Sequence, residues 1–356
     1  MPLHPADSDA SETPGGAGGV VVIGSSVIDV IGRPLTALLP RSSVPGELRM
    51  SPGGVARNVA ENLARLGVGV TLITAVGDDP PGRQLLDQAE AAGVDVRHAL
   101  TVTGMRTGMY LGVLDPQGGL HLALDDMGLI RSLSRDYLQS KTDLLERAQA
   151  IFLDANVPLD SIELLLAIAR RAGIPVAADP TSVSLAASLR PHLKDLWLIT
   201  PNAAEAEVLC PLPVPHADRG EAKRDPLRDP LRDAQRDAKG EPPREAEGDG
   251  PRDRALDAAR RLVTKGVDIA LVTMAEFGVG YASAETSGHV PAVMTEVIDP
   301  TGAGDAQTAA VLFGLLSGIP LDESVRLGAS AAALTLRTNG SVVPDLSLER
   351  LYDELR

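Results

Sequence analysis

The sequence predicts an α/β fold in which a doubly wound, mostly parallel sheet is flanked by helices. Three observations support this prediction. Short, fully apolar segments alternate with segments of helical periodicity, most apolar segments end in polar residues, and several glycine-rich turns lead into helices. Buried parallel strands are apolar on both faces, and open α/β folds bind ligands at the carboxyl ends of such strands.

Composition narrows the class of protein. The 356 residues are enough for one large domain with a sizeable core. The net charge of −15 and the 2% aromatic content argue against a nucleic-acid partner. The single cysteine excludes an internal disulfide and a cysteine-based metal cluster. No apolar run is long enough to span a membrane and no signal peptide is recognisable, so we expect a cytoplasmic protein without membrane partners.

The chain begins with a segment whose composition predicts disorder, and the first predicted strand follows it. Residues 1–18 have no periodicity and are rich in small and polar residues. Val20–Ile23 is a buried strand of the parallel type. Asp29 follows a few residues later, either as a ligand-binding carboxylate or as a residue that caps a turn.

A glycine pair, Gly53 and Gly54, precedes the first predicted helix, which ends at Gly67. Glycines allow a ligand to approach the backbone closely. Asn58 lies in the first turn, away from the apolar stripe, and its side chain can both donate and accept hydrogen bonds. Asn58 is therefore either a ligand-binding residue or only a solvated helix residue.

The region around residues 105–127 changes from helical periodicity to strict alternation. Apolar residues alternate on either side of the turn sequence Asp115–Gly119. We therefore expect an antiparallel hairpin with one apolar face. Such a hairpin, inserted among βα units, would be a flap or a subunit contact.

Further along, predicted helices and buried strands alternate, beginning with a helix over about residues 134–147. Each strand in this part ends in polar residues. These residues are Asp154 with Asn156, Asp179 with Thr181, and Thr200 with Asn202 and Glu205. We therefore expect a ligand-binding site at the edge of the sheet where the carboxyl ends of the strands lie.

An insert at about residues 212–253 interrupts this pattern. It repeats Arg, Asp and Pro and contains too little apolar surface to order itself. We expect a solvated, disordered loop. The alternating pattern then resumes with a helix from Ala255.

The segment from Asp299 to Ala306 is the most informative part of the sequence. Gly302, Ala303 and Gly304 form a turn that leads into an apolar helix. A glycine turn at a helix N-terminus binds anions, because free N–H groups and the helix dipole both favour negative charge. Asp305 places a carboxylate beside this anion site, either as a base that takes a proton or as a helix cap.

Four motifs, in this order, resemble those of the ribokinase-like carbohydrate kinase family. They are Gly53-Gly54-Val55-Ala56-Arg57-Asn58, Pro201-Asn202-Ala203-Ala204-Glu205, Val272-Thr273 and Asp299-Pro300-Thr301-Gly302-Ala303-Gly304-Asp305. The resemblance extends from about Gly19 to Pro344, apart from the insert. It implies ATP-dependent phosphorylation of a sugar or nucleoside hydroxyl within one kinase domain over residues 19–356.

The resemblance also implies a role for each motif. Asp305 would be the general base, and the backbone of Gly302, Ala303 and Gly304 would hold the transferring phosphoryl group. The substrate-binding residues would be Asp29, Gly53, Gly54 and Asn58. Asn202 and Glu205 would hold Mg²⁺ through water, and Thr273 and Gly278 would border ATP. The segments at about 30–50 and 105–127 would form the β lid of the family, which excludes water from the site.

Several segments resemble the subgroup of the family that phosphorylates pseudouridine. They are Pro52–Leu63, Met109–Asp115, Asp125–Met127 and Leu153–Asn156. On this basis Asn156 and Asp126 are candidates to lie near the nucleoside. Two alternatives stay open: a kinase for ribose, adenosine or a keto-deoxy sugar acid, and a non-catalytic nucleoside-binding regulator. A requirement for a monovalent cation such as K⁺ and a homodimer formed through the lid also stay open.

Many family members have glycine at the position of Ala275, whereas this chain has alanine. Ala275 is thus a departure from the family pattern at the expected nucleotide contact.

Overall fold

The structure is a computed structural model that describes residues 18–117, 119–211 and 250–356. Residues 1–17 of the predicted tail and residues 212–249 of the predicted insert lie outside the described residues, as does Gly118. Among the described helices, none is long and apolar enough to cross a membrane.

A central sheet of eight strands forms the middle layer of the described chain. In chain order these strands are β1 (Val20–Ile23), β4 (Val70–Ile73), β9 (Ala150–Asp154), β10 (Val176–Asp179), β11 (Leu198–Ile199), β12 (Ile269–Thr273), β13 (Val279–Ser283) and β14 (Ser287–Val290). Across the sheet they follow the order β4-β1-β9-β10-β11-β12-β13-β14. The pairs from β4 to β12 are parallel, and β13 and β14 add antiparallel pairs at one edge. The predicted fold class is confirmed.

The first strand shows why these apolar segments form a buried sheet. Val20 and Val22 pack into the core cluster on one face of the sheet, whereas Val21 and Ile23 pack into the cluster on the other face. All four side chains are essentially inaccessible to solvent. A strand that is covered on both sides has no polar face, so its sequence is uniformly apolar.

Helices cover both faces of this sheet. They are α1 (Val55–Arg65), α2 (Pro80–Ala91), α3 (Arg135–Gln139), α4 (Thr142–Leu145), α5 (Leu159–Ala172), α6 (Val183–Leu189), α7 (Ala203–Leu209), α8 (Pro251–Thr264), α9 (Ala303–Leu316), α10 (Leu321–Leu336) and α11 (Leu348–Glu354). Short 3-10 turns cover Gly128–Ser132, Arg190–Asp195 and Ala275–Phe277.

Two predicted boundaries are corrected by the structure. The single helix expected over 134–147 is interrupted between α3 and α4, where the hydroxyl groups of Ser140 and Thr142 donate to the carbonyls of Tyr137 and Gln139. Such local bonds compete with helix continuation. Helix α8 begins at Pro251 rather than Ala255, because proline fits the first turn of a helix. The last residues assigned to the insert, 251–253, therefore belong to this helix.

A second, four-stranded sheet lies apart from the central one. Its strands are β2 (Val27–Pro34), β3 (Gly46–Gly53), β7 (Met109–Leu114) and β8 (Leu120–Asp126), in the order β3-β2-β7-β8. The predicted hairpin is thus β7 and β8, joined to β2 by parallel pairing. Two short parallel strands, β5 (Ala75–Gly77) and β6 (Leu100–Val102), make a third sheet.

The strand register separates the two faces of this small sheet. One face carries the rows Leu48-Gly32-Val113-Leu122 and Met50-Val30-Leu111-Leu124. The other carries the rows Arg49-Ile31-Gly112-Ala123 and Ser51-Asp29-Tyr110-Asp125. The predicted apolar face of the hairpin therefore continues across all four strands, and Asp29, Arg49, Tyr110 and Asp125 lie on the opposite face.

Candidate active site

Asp305 lies in the first turn of α9, next to the glycine turn that precedes it. Gly302 is the residue before the helix and adopts the left-handed conformation, with φ 79°. The helix begins at Ala303, so the N–H groups of its first turn have no carbonyl one turn earlier to bond to. The glycine turn, the helix N-terminus and the carboxylate of Asp305, from which the sequence predicts an anion site, therefore lie together.

The half-buried carboxyl group of Asp305 is held by Asn58. Asn58 Nδ2 donates a hydrogen bond to Asp305 Oδ2 at 2.7 Å. Burial raises the pKa of Asp305 from 3.8 to about 6, and the charge of Asp154 adds to this, while the bond from Asn58 opposes it. At neutral pH this carboxylate is mostly ionised and is more basic than an exposed aspartate.

Asn58 is itself fixed by residues from distant parts of the chain. Its Oδ1 atom accepts a bond from Arg57 Nη1 at 3.1 Å and lies 2.9 Å from Ser341 Oγ. Arg57 is buried and pairs with Glu61 one turn later. Burial lowers the pKa of Arg57 and Glu61 opposes this. The amide of Asn58 thus has one orientation, with its NH₂ group directed at Asp305.

Asp29 is the second carboxylate of the site, and it contacts Gly53, the first glycine of the pair. A Cβ atom on Gly53 would lie 2.1 Å from Asp29 Oδ2, so only glycine leaves space for this carboxylate. Burial, and then the charge of Asp305, raise the pKa of Asp29 from 3.8 to about 7, while Arg57 and Arg49 oppose the rise. Asp29 and Asp305 therefore lie within electrostatic range of each other.

The two glycine turns are also required by close backbone contacts. Gly54 has φ 96°, and a Cβ atom there would lie 2.5 Å from the carbonyl oxygen of Ser25. A Cβ atom on Gly302 would lie 2.2 Å from the carbonyl oxygen of Ser341. Both positions combine a positive φ with a backbone neighbour, so a side chain is excluded at each.

A buried aspartate, Asp154, connects the central sheet to this site. Its Oδ2 atom accepts bonds from the N–H and the hydroxyl of Ser25, at 2.7 and 2.6 Å, and from the N–H of Ala56 at 3.2 Å. Gly24 lies against the same carboxylate, since a Cβ atom on Gly24 would lie 2.4 Å from Asp154 Oδ2. Asp154 therefore fixes the end of β1 to the start of α1.

The predicted metal-binding pair, Asn202 and Glu205, forms a reciprocal cap on α7. Asn202 Oδ1 accepts from the N–H of Glu205 at 3.0 Å, and Glu205 Oε2 accepts from the N–H of Asn202 at 2.8 Å. Burial raises the pKa of Glu205. No group of three or more His, Cys, Asp or Glu side chains suited to a metal ion is found in the described residues.

Asp179, at the end of β10, lies within electrostatic range of both Glu205 of the capping pair and Asp305. Burial raises its pKa well above the ordinary value, and the charges of Asp305 and Glu205 raise it further. Thr181, whose N–H binds Asp179 Oδ1 at 2.7 Å, has a φ of 64°, which is rare for a β-branched residue. Three carboxyl groups, Asp179, Glu205 and Asp305, therefore share raised pKa values at this edge.

The predicted nucleotide residues lie at the next strand. Thr273 ends β12, and its N–H donates to the carbonyl of Pro201 at 3.0 Å, beside Asn202. Gly278 has φ 93°, and a Cβ atom there would lie 2.2 Å from the carbonyl of Val290. Ala275 has φ 45°, the left-handed region that favours glycine. This explains in physical terms why glycine suits that position.

Asn156 and Asp126 line a separate cavity of about 750 Å³ with Asp125 and Ser182. The Nδ2 atom of Asn156 is buried and has no hydrogen-bond partner among the described residues. Asp305, Asn58 and Asp29 do not line this cavity. In the register, Asp125 shares the row of Asp29 and Tyr110, whereas Asp126 pairs with Met109 on the other face.

The structure brings the predicted residues together in three groups. Asp29, Gly53, Gly54, Asn58 and Asp305 form one group with the turn at 302–304. Asn202, Glu205 and Thr273 form a second, and Asn156 and Asp126 a third. Sequence reasoning missed Arg49 and Ser341. It noted Asp154 and Asp179 only as strand ends, a signal that could have placed both in the site.

Comparison with known proteins identifies relatives over nearly the whole chain. A model of the pfkB family of carbohydrate kinases matches residues 17–226 and 243–347. Pseudouridine kinase from Escherichia coli (strain K12) is 31% identical over 331 residues, which cover 92% of this chain and 94% of that protein. Guanosine-inosine kinase from Exiguobacterium acetylicum is 27% identical over 330 residues, covering 92% of this chain and 97% of that protein.

A solved structure agrees in fold. Arabidopsis thaliana ribokinase complexed with ribose and ATP superimposes with a TM-score of 0.75 at 18% identity, covering 96% of this chain and 99% of that chain. The match of the family model and the identity to the Escherichia coli enzyme extend over most of the sequence. The chain therefore belongs to the pfkB family of carbohydrate kinases.

Proposed function

We propose that the protein transfers the γ-phosphoryl group of ATP to a hydroxyl group of pseudouridine, giving pseudouridine 5′-phosphate and ADP. The observation that carries this proposal is the half-buried carboxylate of Asp305, held by Asn58 beside the free N–H groups of a helix N-terminus. That pairing supplies a base for the acceptor and an anion site for the phosphoryl group. A non-catalytic regulator would need neither.

Asp305 acts as the general base. The acceptor hydroxyl gives its proton to the carboxylate as its oxygen attacks the γ-phosphorus, and the bond to the β-phosphate oxygen breaks to release ADP. Asn58 binds only Oδ2 of Asp305. The remaining oxygen is thereby available for the proton, and a pKa of about 6 lets it accept a proton without being protonated at rest.

The backbone of Gly302, Ala303 and Gly304 holds the transferring group. In phosphoryl transfer, charge is spread over the equatorial oxygens, so positioning and charge stabilisation supply most of the catalysis. N–H groups fixed at a helix N-terminus stabilise this charge without reorganising. Close contact of Gly302 with Ser341 keeps the turn in place.

Mg²⁺ fits the second group of residues through water. Asn202 and Glu205 offer oxygen atoms, which Mg²⁺ prefers, and their mutual cap leaves no closed cage for direct ligation. Burial raises the pKa of both Asp179 and Glu205, and the negative charges of Asp305 and Glu205 raise the pKa of Asp179 further. A cation would relieve this repulsion at Asp179. When bound, Mg²⁺ neutralises phosphate charge. Thr273 and Gly278 border the nucleotide. A requirement for K⁺ is tested by comparing turnover in different chloride salts.

The cavity lined by Asn156 suits the base of pseudouridine. The uracil ring of this C-nucleoside has two N–H donors and two carbonyl acceptors. Asn156 Nδ2 is a buried donor without a partner in the part of the chain that the structure describes, and Asp125 and Asp126 are acceptors at the same cavity. Pseudouridine has one more ring N–H than uridine, so a carboxylate acceptor favours it. The 31% identity to a pseudouridine kinase supports the same substrate.

A coupled ADP-release assay tests the substrate. The assay compares the turnover of six acceptors at equal concentration: pseudouridine, uridine, ribose, adenosine, guanosine and a keto-deoxy sugar acid. The same acceptors are tested with the variant Asn156→Ala. We expect the highest kcat/KM with pseudouridine and a reduced preference over uridine in the variant. Turnover of ribose or adenosine with none of pseudouridine would overturn the substrate and keep the kinase.

The apolar face of the small sheet fits a second copy of the chain. Leu48 is 78% exposed and Leu124 is 65% exposed, and the register places both on the same face. A contiguous exposed apolar face of this kind marks an interaction surface. Light scattering should show a dimer for the wild type and a monomer for Leu124→Asp. A monomeric wild type would remove the lid-mediated dimer.

A further inference from the structure

Arg49 is a half-buried arginine on β3, on the polar face of the small sheet. Its side chain is 35% exposed. The strand register places Arg49 opposite Ile31. The next row on the same face pairs Ser51 with Asp29. The charge of Arg49 opposes the raised pKa of Asp29. Arg49 is thus the basic residue through which the small sheet faces the group around Asp305.

This arginine reaches the segment that leads into the anion site. Its Nη2 atom forms an ion pair with Oδ2 of Asp299, whose side chain is 5% exposed. The other oxygen of Asp299 accepts a bond from the N–H of Thr301 at 2.9 Å. Asp299 is also tied to the helix α10 end, since its N–H donates to the carbonyl of Leu336 at 3.2 Å.

The ion pair has an electrostatic and a geometric consequence. A buried carboxylate three residues before Gly302 would repel a phosphoryl group at the turn unless a cation neutralised it. The same carboxylate shapes the turn through its bond to Thr301. A cation that orients Asp299 therefore influences both the charge of the anion site and the direction of its N–H groups.

We propose that Arg49 is a positioning residue for phosphoryl transfer: it holds and neutralises Asp299 and so keeps the turn at residues 301–304 ready for the phosphoryl group. The inference rests on the proposed kinase function. It also joins two parts of the molecule, because the cation comes from the small sheet and the turn belongs to α9. Docking of the small sheet and completion of the anion site are then one event.

Three substitutions test the role of Arg49. Arg49→Met removes the charge but keeps the length of the side chain, and Arg49→Lys keeps the charge. Arg33→Met, in the same sheet and exposed, is the matched control. For each, kcat and the acceptor KM come from ADP release, and thermal unfolding is followed in parallel.

We expect Arg49→Met to lower kcat by about 100-fold, as for a misplaced reacting group, with the acceptor KM near wild type. The melting temperature should also fall, because the substitution leaves the carboxylate of Asp299 buried without its partner. Arg49→Lys should recover part of the loss because its charge remains, although the planar guanidinium does not. Arg33→Met should match wild type. Asp299→Asn combined with Arg49→Met should cost no more than the larger single effect, because both remove one interaction.

A second readout does not depend on turnover. Calorimetry compares the affinity for a non-hydrolysable ATP analogue with that for ADP. Arg49→Met should lower the ratio of these affinities, since the proposed mechanism places the γ-phosphate at the turn and ADP has no γ-phosphate. An unchanged kcat together with an unchanged ratio would overturn the role of Arg49. A wild-type protein that turns over no acceptor, yet shows the changed ratio, would instead overturn the proposed kinase function.

Discussion

Replacing Asp29 by asparagine should stabilise the fold, and the gain should increase with pH. Asp29 is 6% exposed, and burial followed by the charge of Asp305 raises its pKa from 3.8 to about 7. Unfolding restores the ordinary pKa, so between these values the folded protein keeps a proton that the unfolded chain releases. The stability from the protonated carboxyl is therefore complete below about pH 4 and is lost as the pH rises through about 7.

The size of the effect follows from the two pKa values. A rise from 3.8 to about 7 corresponds to ~4 kcal/mol of unfolding free energy. Roughly 1.5 kcal/mol of this is already lost at pH 5, which leaves up to ~2.5 kcal/mol to be lost between pH 5 and pH 8. Asparagine has no proton to release, so the advantage of Asp29→Asn should widen by up to that amount over this interval.

Urea unfolding of wild type and Asp29→Asn at pH 5 and pH 8 measures this difference. Asp87→Asn, an exposed position on α2, is the control and should change stability equally at the two pH values. An advantage of Asp29→Asn that is the same at both pH values, or smaller at pH 8, would refute the reasoning. It would mean that Asp29 has no raised pKa in the folded protein.

Three further predictions concern the turns and the base. Gly302→Ala places a Cβ atom 2.2 Å from the carbonyl of Ser341 at a φ of 79°, and it should lower the unfolding free energy by about 3 kcal/mol and abolish most turnover; wild-type melting would contradict this. Turnover should fall as the pH falls through about 6, where Asp305 is protonated, so a flat profile from pH 5 to 8 would exclude it as the base. Ala275→Gly relieves a left-handed alanine and should raise the unfolding free energy by about 0.5–1 kcal/mol in urea melts, whereas a loss would show that no strain is stored there.

The fold and most of the group around Asp305 follow from local features of the sequence. Apolar strands such as Val20–Ile23 are recognisable because both faces are buried. Gly53, Gly54 and Gly302 are recognisable because their turns require glycine. The carboxyl ends of parallel strands meet at one edge, which is why Asp154 and Asp179 could be expected near one another.

Other features depend on contacts between distant residues and leave no local signal. Ser341 contacts Asn58 across 283 positions of the chain, and Arg49 reaches from the small sheet to Asp299, which lies 250 positions later in the chain. The interruption between α3 and α4 depends on hydroxyl groups choosing carbonyl partners within a segment of helical periodicity. Asp125 and Asp126 lie on opposite faces of the small sheet because successive residues of a strand alternate. The strand register decides that Asp125, and not Asp126, shares the row of Asp29.

The central claim is that Asp305 is the base for phosphoryl transfer. Asparagine at this position keeps the shape of the side chain but cannot accept the proton. Single-turnover transfer from labelled ATP to pseudouridine, measured together with nucleoside binding by calorimetry, separates chemistry from affinity. We predict that Asp305→Asn binds pseudouridine nearly as wild type does, while the transfer rate falls about 10²–10⁴-fold. A variant that transfers at the wild-type rate would contradict it.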